Sequence, residues 1–174
     1  MRLCRCIRDD RRGVALIEFA LSIPILVVLF AGGYQICDAV SAYRKVTTAT
    51  RTIADLTSQY TTVNTSDLNN ILNSSQQVMA PYPPANAKMT VSQVNIDASG
   101  KGSIDWSEGK NTPRLQPGSP YNVPASIRQA NTSLIVAKMT YAYNPVVARS
   151  VIGPLSLTET IIMSPRASPS VFRQ

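Results

Sequence analysis

Apolar side chains run almost unbroken from Val14 to Gly33, twenty positions whose single charge is Glu18. A helix needs about 20 such residues to cross a hydrocarbon core of about 30 Å. The pattern therefore predicts a membrane-spanning helix over residues 14–36. Beyond it the period changes. Ile36, Val40, Tyr43, Val46 with Thr47, Thr50, Ile53 with Ala54, and Tyr60 recur at spacings of three and four. Asp38, Ser41, Arg44, Lys45, Arg51, Asp55 and Ser58 take the other faces. That is one apolar stripe on an amphipathic helix, residues 37–62. The halves join into one helix from Val14 to Tyr60, about 70 Å long at ~1.5 Å per residue. Pro24 removes one backbone hydrogen bond within it and favours a kink or local melting. Thr47, Thr48, Thr50 and Thr52 lower helix propensity, so fraying is expected there.

A short helix follows, capped by Thr65 or Ser66, with Leu68, Ile71, Leu72 and Met79 on one side. Pro81, Pro83 and Pro84 end it. The period then becomes two. Lys88–Asp97, Ser103–Trp106, Thr132–Pro145 and Pro154–Met163 read as strands, the first two joined by the turn Ala98–Gly102. In the third, Ile135, Ala137, Met139, Tyr141 and Tyr143 share one face, and Lys138 and Thr140 the other. The Pro- and Gly-rich stretch between the second and third strands predicts a long surface loop, with one helical turn at Pro124–Gln129. The tail, residues 165–174, is expected to be disordered. Four antiparallel strands with one apolar face need a cover, and the amphipathic half of the long helix is the available one. The fold class is α+β, with residues 63–164 as the polar domain.

Charge changes the picture only at the start. Residues 1–13 hold five Arg and two Asp, while the rest of the chain carries 12 Lys and Arg against 8 Asp and Glu. The arginines ahead of the apolar run place the N-terminus in the cytoplasm and the following domain outside it. The weak excess elsewhere, without an interleaved basic and aromatic groove, does not suggest a nucleic-acid partner. Cys4 and Cys6 precede the apolar run and Cys37 follows it, so the domain after residue 37 has no internal disulfide. Two thiols without nearby His make no structural metal site.

Three readings fit the apolar run. One is a secretory signal cut near Ala31-Gly32-Gly33 by signal peptidase I, releasing a periplasmic or secreted binding domain. The second is a plain single-pass anchor. The third also accounts for Glu18, a carboxylate that costs roughly 2.5–3.5 kcal/mol in a membrane span. Gly13 follows Arg11-Arg12, and Glu18 is the fifth residue after it. This resembles the class III signal of type IV pilin-like proteins. The block from Arg11 to Leu56, with Arg12-Gly13, Ala15, Glu18-Phe19-Ala20 and Pro24, resembles the N-terminal region of TadE-like proteins, minor pseudopilins of the Tad (Flp, tight-adherence) pilus system.

The resemblance implies several things. A prepilin peptidase would cut between Gly13 and Val14 and leave the helix on the mature protein. The domain would have the pilin-like form of α+β fold. Glu18, beside Phe19, would pair with a freed N-terminal ammonium, commonly that of a neighbouring subunit. Residues 14 and 18 lie one turn apart on one face. Leu16, Leu21, Ile23, Pro24, Ile25 and Leu26 would pack against other pilin or pseudopilin subunits in the lipid bilayer. The inner-membrane assembly platform would be a further partner. The protein would sit in the inner membrane, or enter an extracellular pilus, and do no chemistry.

Catalytic and cofactor sites find little support. Without histidine no Ser-His-Asp or Cys-His arrangement can form. Neither a Walker loop nor a dinucleotide fingerprint occurs. Asn95, Asp97, Ser99 and Gly100 match the start of a calcium loop, but Trp106 stands where the closing Glu belongs, and a β-turn is the better reading. No metal or cofactor is expected. Glu159 falls on the apolar phase of its strand, which places it at the sheet margin or opposite Arg44, Lys45 or Arg51.

Overall fold

A computed structural model describes residues 12–145 and 153–174. The basic leader with Cys4 and Cys6 lies outside these residues, apart from Arg12 and Gly13. Helix α1 spans Arg12–Ser58 and continues through Pro24 without a break in its assignment. The expected local melting is absent. The threonine stretch also stays helical. Thr48, Thr50 and Thr52 donate their hydroxyls to the carbonyls of Arg44, Val46 and Thr48, at 2.9, 2.7 and 2.9 Å. Bonding back one turn satisfies these side chains inside the helix.

Strand β1 (Thr62–Val63) leads into α2, Thr65–Gln77. Its cap is Asn64, one residue before the expected pair. The Asn64 side chain accepts from the Asp67 amide at 2.8 Å, and the Asp67 carboxylate accepts from the Asn64 amide at 3.1 Å. The reciprocal pair satisfies two otherwise orphaned donors, which a hydroxyl at 65 or 66 does not. Leu68, Ile71, Leu72 and Met79 are buried as the spacing required.

The sheet contains β2 (Ala87–Ile96), β3 (Gly102–Lys110), β4 (Pro120–Tyr121), β5 (Thr132–Tyr143) and β6 (Leu155–Met163). Its spatial order is β4-β3-β2-β5-β6, and every pairing is antiparallel. The four expected strands are present; β3 is longer than its expected span, and β4 is added at one edge. Gly102 admits β4, since a Cβ there would lie 2.5 Å from the Tyr121 carbonyl oxygen. The long loop also holds a 3₁₀ turn at Ala125–Ile127.

The inner face of the sheet packs on α1 and α2. Met89, Val91, Ile135, Ala137, Met139 and Tyr141 meet Ala42, Val46, Ala49, Ile53 and Leu72 in one cluster. A smaller cluster, including Val94, Ile104, Val123 and Val136, lies on the outer face. The buried stripe of α1 differs from the expected one. Gln35, Ala42, Ala49 and Thr57 are buried, while Ile36, Val40, Tyr43 and Tyr60 are exposed; Val46, Thr50, Ile53 and Ala54 are buried as expected. Alanines let the helix backbone approach the sheet, and the larger side chains face away.

The tail, expected to be disordered, is docked. Strand β7 (Phe172–Arg173) pairs in parallel with β1. The Arg166 amide donates to the Ser58 carbonyl at 2.8 Å, closing the end of α1, and the Arg166 guanidinium sits 2.9 Å from Asp55. Val171 is fully buried; its amide donates to Gln93 Oε1 at 2.6 Å, and its carbonyl accepts from Trp106 Nε1 at 2.8 Å. Arg173 pairs with Glu108 at 2.6 Å.

Candidate assembly surface

From Gly13 to Tyr34 the helix extends past the rest of the molecule. Leu16, Phe19, Leu21, Ile23, Ile25 and Leu26 are 40–71% exposed, and Phe30 is 79% exposed. The run is long and apolar enough to cross a membrane, and none of its most apolar stretch is buried. Val14 and Glu18 lie on one face, one turn apart, and Ser22 continues that face, donating its hydroxyl to the Glu18 carbonyl at 2.8 Å. A Cβ at Gly13 would meet nothing within 4 Å. Packing among the described residues therefore sets no requirement for glycine there. The candidate residues thus share one element, and no other described part of the chain closes over them.

Immediately beyond this segment stands a polar collar that the sequence reading missed. Asp38 accepts from the Tyr143 hydroxyl at 2.5 Å and from the Tyr82 hydroxyl at 2.9 Å; Tyr82 also reaches the Asp38 carbonyl at 3.0 Å. Gln35 Nε2 donates to Tyr143. The Tyr82 ring meets those of Tyr141 and Tyr143 edge-on, with centroids 6.3 and 6.5 Å away. Burial, then the Asp38 carboxylate, push the Tyr82 hydroxyl up to about 12 and raise that of Tyr143 as well. Three parts of the chain, α1, the loop after α2 and the end of β5, are joined here. The one available sequence signal was Tyr141-x-Tyr143 on the apolar phase of β5, a pair that places two hydroxyls at one end of the core.

Further along, Glu159 does meet the helix, but through Tyr43, whose hydroxyl donates to it at 2.7 Å. Arg44, Lys45 and Arg51 form no ion pair with it among the described residues. The carboxylate holds the Tyr43 hydroxyl above its ordinary range. Cys37 is an exposed free thiol. The calcium-like stretch is a turn: Asp97 accepts from the Ser99 hydroxyl at 2.7 Å and from the amides of Lys101 and Ser99, each at 2.8 Å, and these bonds, the hydroxyl's first, lower its pKa. No metal-binding group of His, Cys, Asp and Glu occurs among the described residues.

Residues 13–55 match the family model of TadE-like proteins. Over this N-terminal stretch the chain is similar to TadE-like proteins. The TadE-like match covers most of α1 and stops before the sheet, so it includes both the exposed apolar segment and the collar residues Gln35 and Asp38. It ties the chain to Tad pilus systems and their components. No curated protein and no solved structure matches the chain.

Proposed function

We propose that this TadE-like chain is a minor pseudopilin, cut after Gly13 by a prepilin peptidase and assembled through its N-terminal helix. The carrying observation is the exposed apolar segment that holds one carboxylate, Glu18, a turn from Val14. An apolar surface of that length needs lipid or other helices around it. Cleavage would place an ammonium on Val14 at the level of Glu18, and a neighbouring subunit would complete the pair. Paired, the two charges offset one another; alone, each is costly in a low dielectric. The protein then sits in the inner membrane as a single-pass subunit with its domain outside the cytoplasm. It acts by contact with other pilin subunits and the assembly platform, without catalysis.

Glu18→Leu tests it. Removing a tolerated charge lowers insertion cost by roughly 2.5–3.5 kcal/mol and is harmless. Removing half of a buried pair costs about 3–5 kcal/mol. The expected protein is made, inserted and cut before Val14, yet cells lose pili and the variant no longer co-purifies with partner subunits. Wild-type piliation in Glu18→Leu cells rejects the assembly role. A mature N-terminus at Tyr34 or Met1 rejects the processing.

A further inference from the structure

The helices cover one face of the sheet, and the opposite face divides into two unlike halves. Toward the far ends of β2 and β5 it is apolar, with Val94, Leu134 and Val136 packed beneath the loop that carries Val123. Toward the Tyr143 end it is polar and cationic. The register sets two adjacent cross-strand rows, Thr90–Lys138–Thr160 and Lys88–Thr140–Thr158. Each row holds one lysine and two threonines. The lysines are diagonal neighbours, ~7–8 Å apart by strand geometry. Along one side the loop wall of Pro113, Leu115, Pro120 and Tyr121 completes a groove of about 440 Å³.

The charge in this groove is not balanced among the described residues. The outward positions of β2, β5 and β6 carry no Asp or Glu. Both ion pairs among the described residues lie elsewhere, at Arg166–Asp55 and Arg173–Glu108. Both lysines are exposed. We propose that this groove binds an acidic polysaccharide, a chain bearing carboxylates among its hydroxyls.

Four observations choose that occupant. Each of β2 and β5 is paired on both sides, so no extended peptide can add to their backbones. The face offers ammonium groups and a field of side-chain hydroxyls, with Tyr121 and proline rings at the wall for the apolar faces of sugar rings. Among the described residues a second copy of the chain supplies no matching acidic patch: Asp38, Asp55, Asp67, Asp97, Asp105, Glu108 and Glu159 each hold bonds within the chain, and Glu18 stands alone in the apolar segment. A lipid headgroup is also a poor fit. Lys138 lies five residues from Tyr143, about 17 Å along the strand at ~3.4 Å per residue. Tyr143 is bonded to Gln35, just past the apolar segment. The headgroup layer beyond a ~30 Å core is only about 5–8 Å deep on each side. The inference rests on the sheet and stands whether or not Glu18 serves assembly.

The test uses the full chain in nonionic detergent and a polyuronate oligosaccharide, with neutral dextran as control, read by calorimetry at low ionic strength. The wild type binds the polyuronate and not dextran. Lys88→Ala with Lys138→Ala weakens binding about tenfold, the product of two exposed ion pairs of ordinary strength. Thr140→Val, which keeps the charge and the strand, weakens it several-fold. Lys45→Ala with Lys101→Ala changes little. All variants keep the wild-type melting temperature, since the substituted side chains lie at the surface. Absence of wild-type binding overturns the proposal. So does an equal loss in the Lys45/Lys101 pair, or equal affinity for polyglutamate or anionic vesicles.

Discussion

The two halves of α1 use hydrophobic residues in opposite ways. Residues 13–34 carry Leu, Ile and Phe on every side, and nearly all are exposed. Residues 35–58 carry fewer large apolar groups, and the stripe they bury is built largely of Ala42, Ala49, Ala54, Thr50 and Thr57. The first half is apolar because its surroundings are apolar. The second is selective because its partner is a pleated surface already crowded with Met139, Ile135 and Tyr141. High hydropathy thus marks a segment that lacks a partner within the chain, and small side chains mark the one that has it.

Substitution of equal chemistry in the two halves gives the largest contrast. Ile53→Ala deletes a fully buried side chain and is expected to cost about 2–5 kcal/mol in urea unfolding of the detergent-solubilised chain. Leu26→Ala, half-exposed in the first half, is expected to leave the same unfolding curve unchanged while weakening recovery of partner subunits. Equal destabilisation by both would erase the distinction between the halves.

The junction is the next place to press. Asp38→Ala removes the acceptor of two tyrosine hydroxyls, and bonds of this charged kind are worth about 1.5–3 kcal/mol each at most. A lowered melting temperature with an intact sheet is expected; an unchanged one would show that the helix needs no lock as it leaves the apolar segment. Alkali probes the same collar. Tyr82, pushed up to about 12, keeps its proton when the unfolded tyrosine, near the ordinary 10, has lost it. A raised folded pKa gives stability that is full below the unfolded value and declines above it. Unfolding free energy is therefore expected to be flat up to about pH 10 and to fall from there toward 12, and Tyr82→Phe should flatten that decline. A decline of equal slope in Tyr82→Phe assigns it to other tyrosines.

The tail gives a smaller effect. Val171→Ala removes two buried methyl groups, about 1–3 kcal/mol with the cavity included. A melting temperature equal to the wild type's would mean that the tail adds nothing to the core.

Local pattern alone determined a good deal. The apolar run, the two-residue alternation of β2, β5 and β6, and the buried set Leu68, Ile71, Leu72 were legible because period and face follow from backbone geometry. Gly13 just ahead of that run, with Glu18 and Phe19 inside it, was legible as a motif, and residues 13–55 match the TadE-like model. Tertiary structure decided what depends on distant partners. The spacing of Ile36, Val40 and Tyr43 is as helical as that of Ala42, Ala49 and Ile53; only the closeness of the sheet selects the second set. The tail reads as Ser- and Pro-rich coil, and it is held because Gln93 and Trp106, far away in sequence, meet the backbone of Val171. The collar joins Asp38 to Tyr82 and Tyr143, over 100 positions from Asp38 in the second case. Periodicity reports which way a side chain points along its own element. It carries no information about which residue of another element will stand opposite, and that is where the collar, the docked tail and the lysine–threonine rows arise.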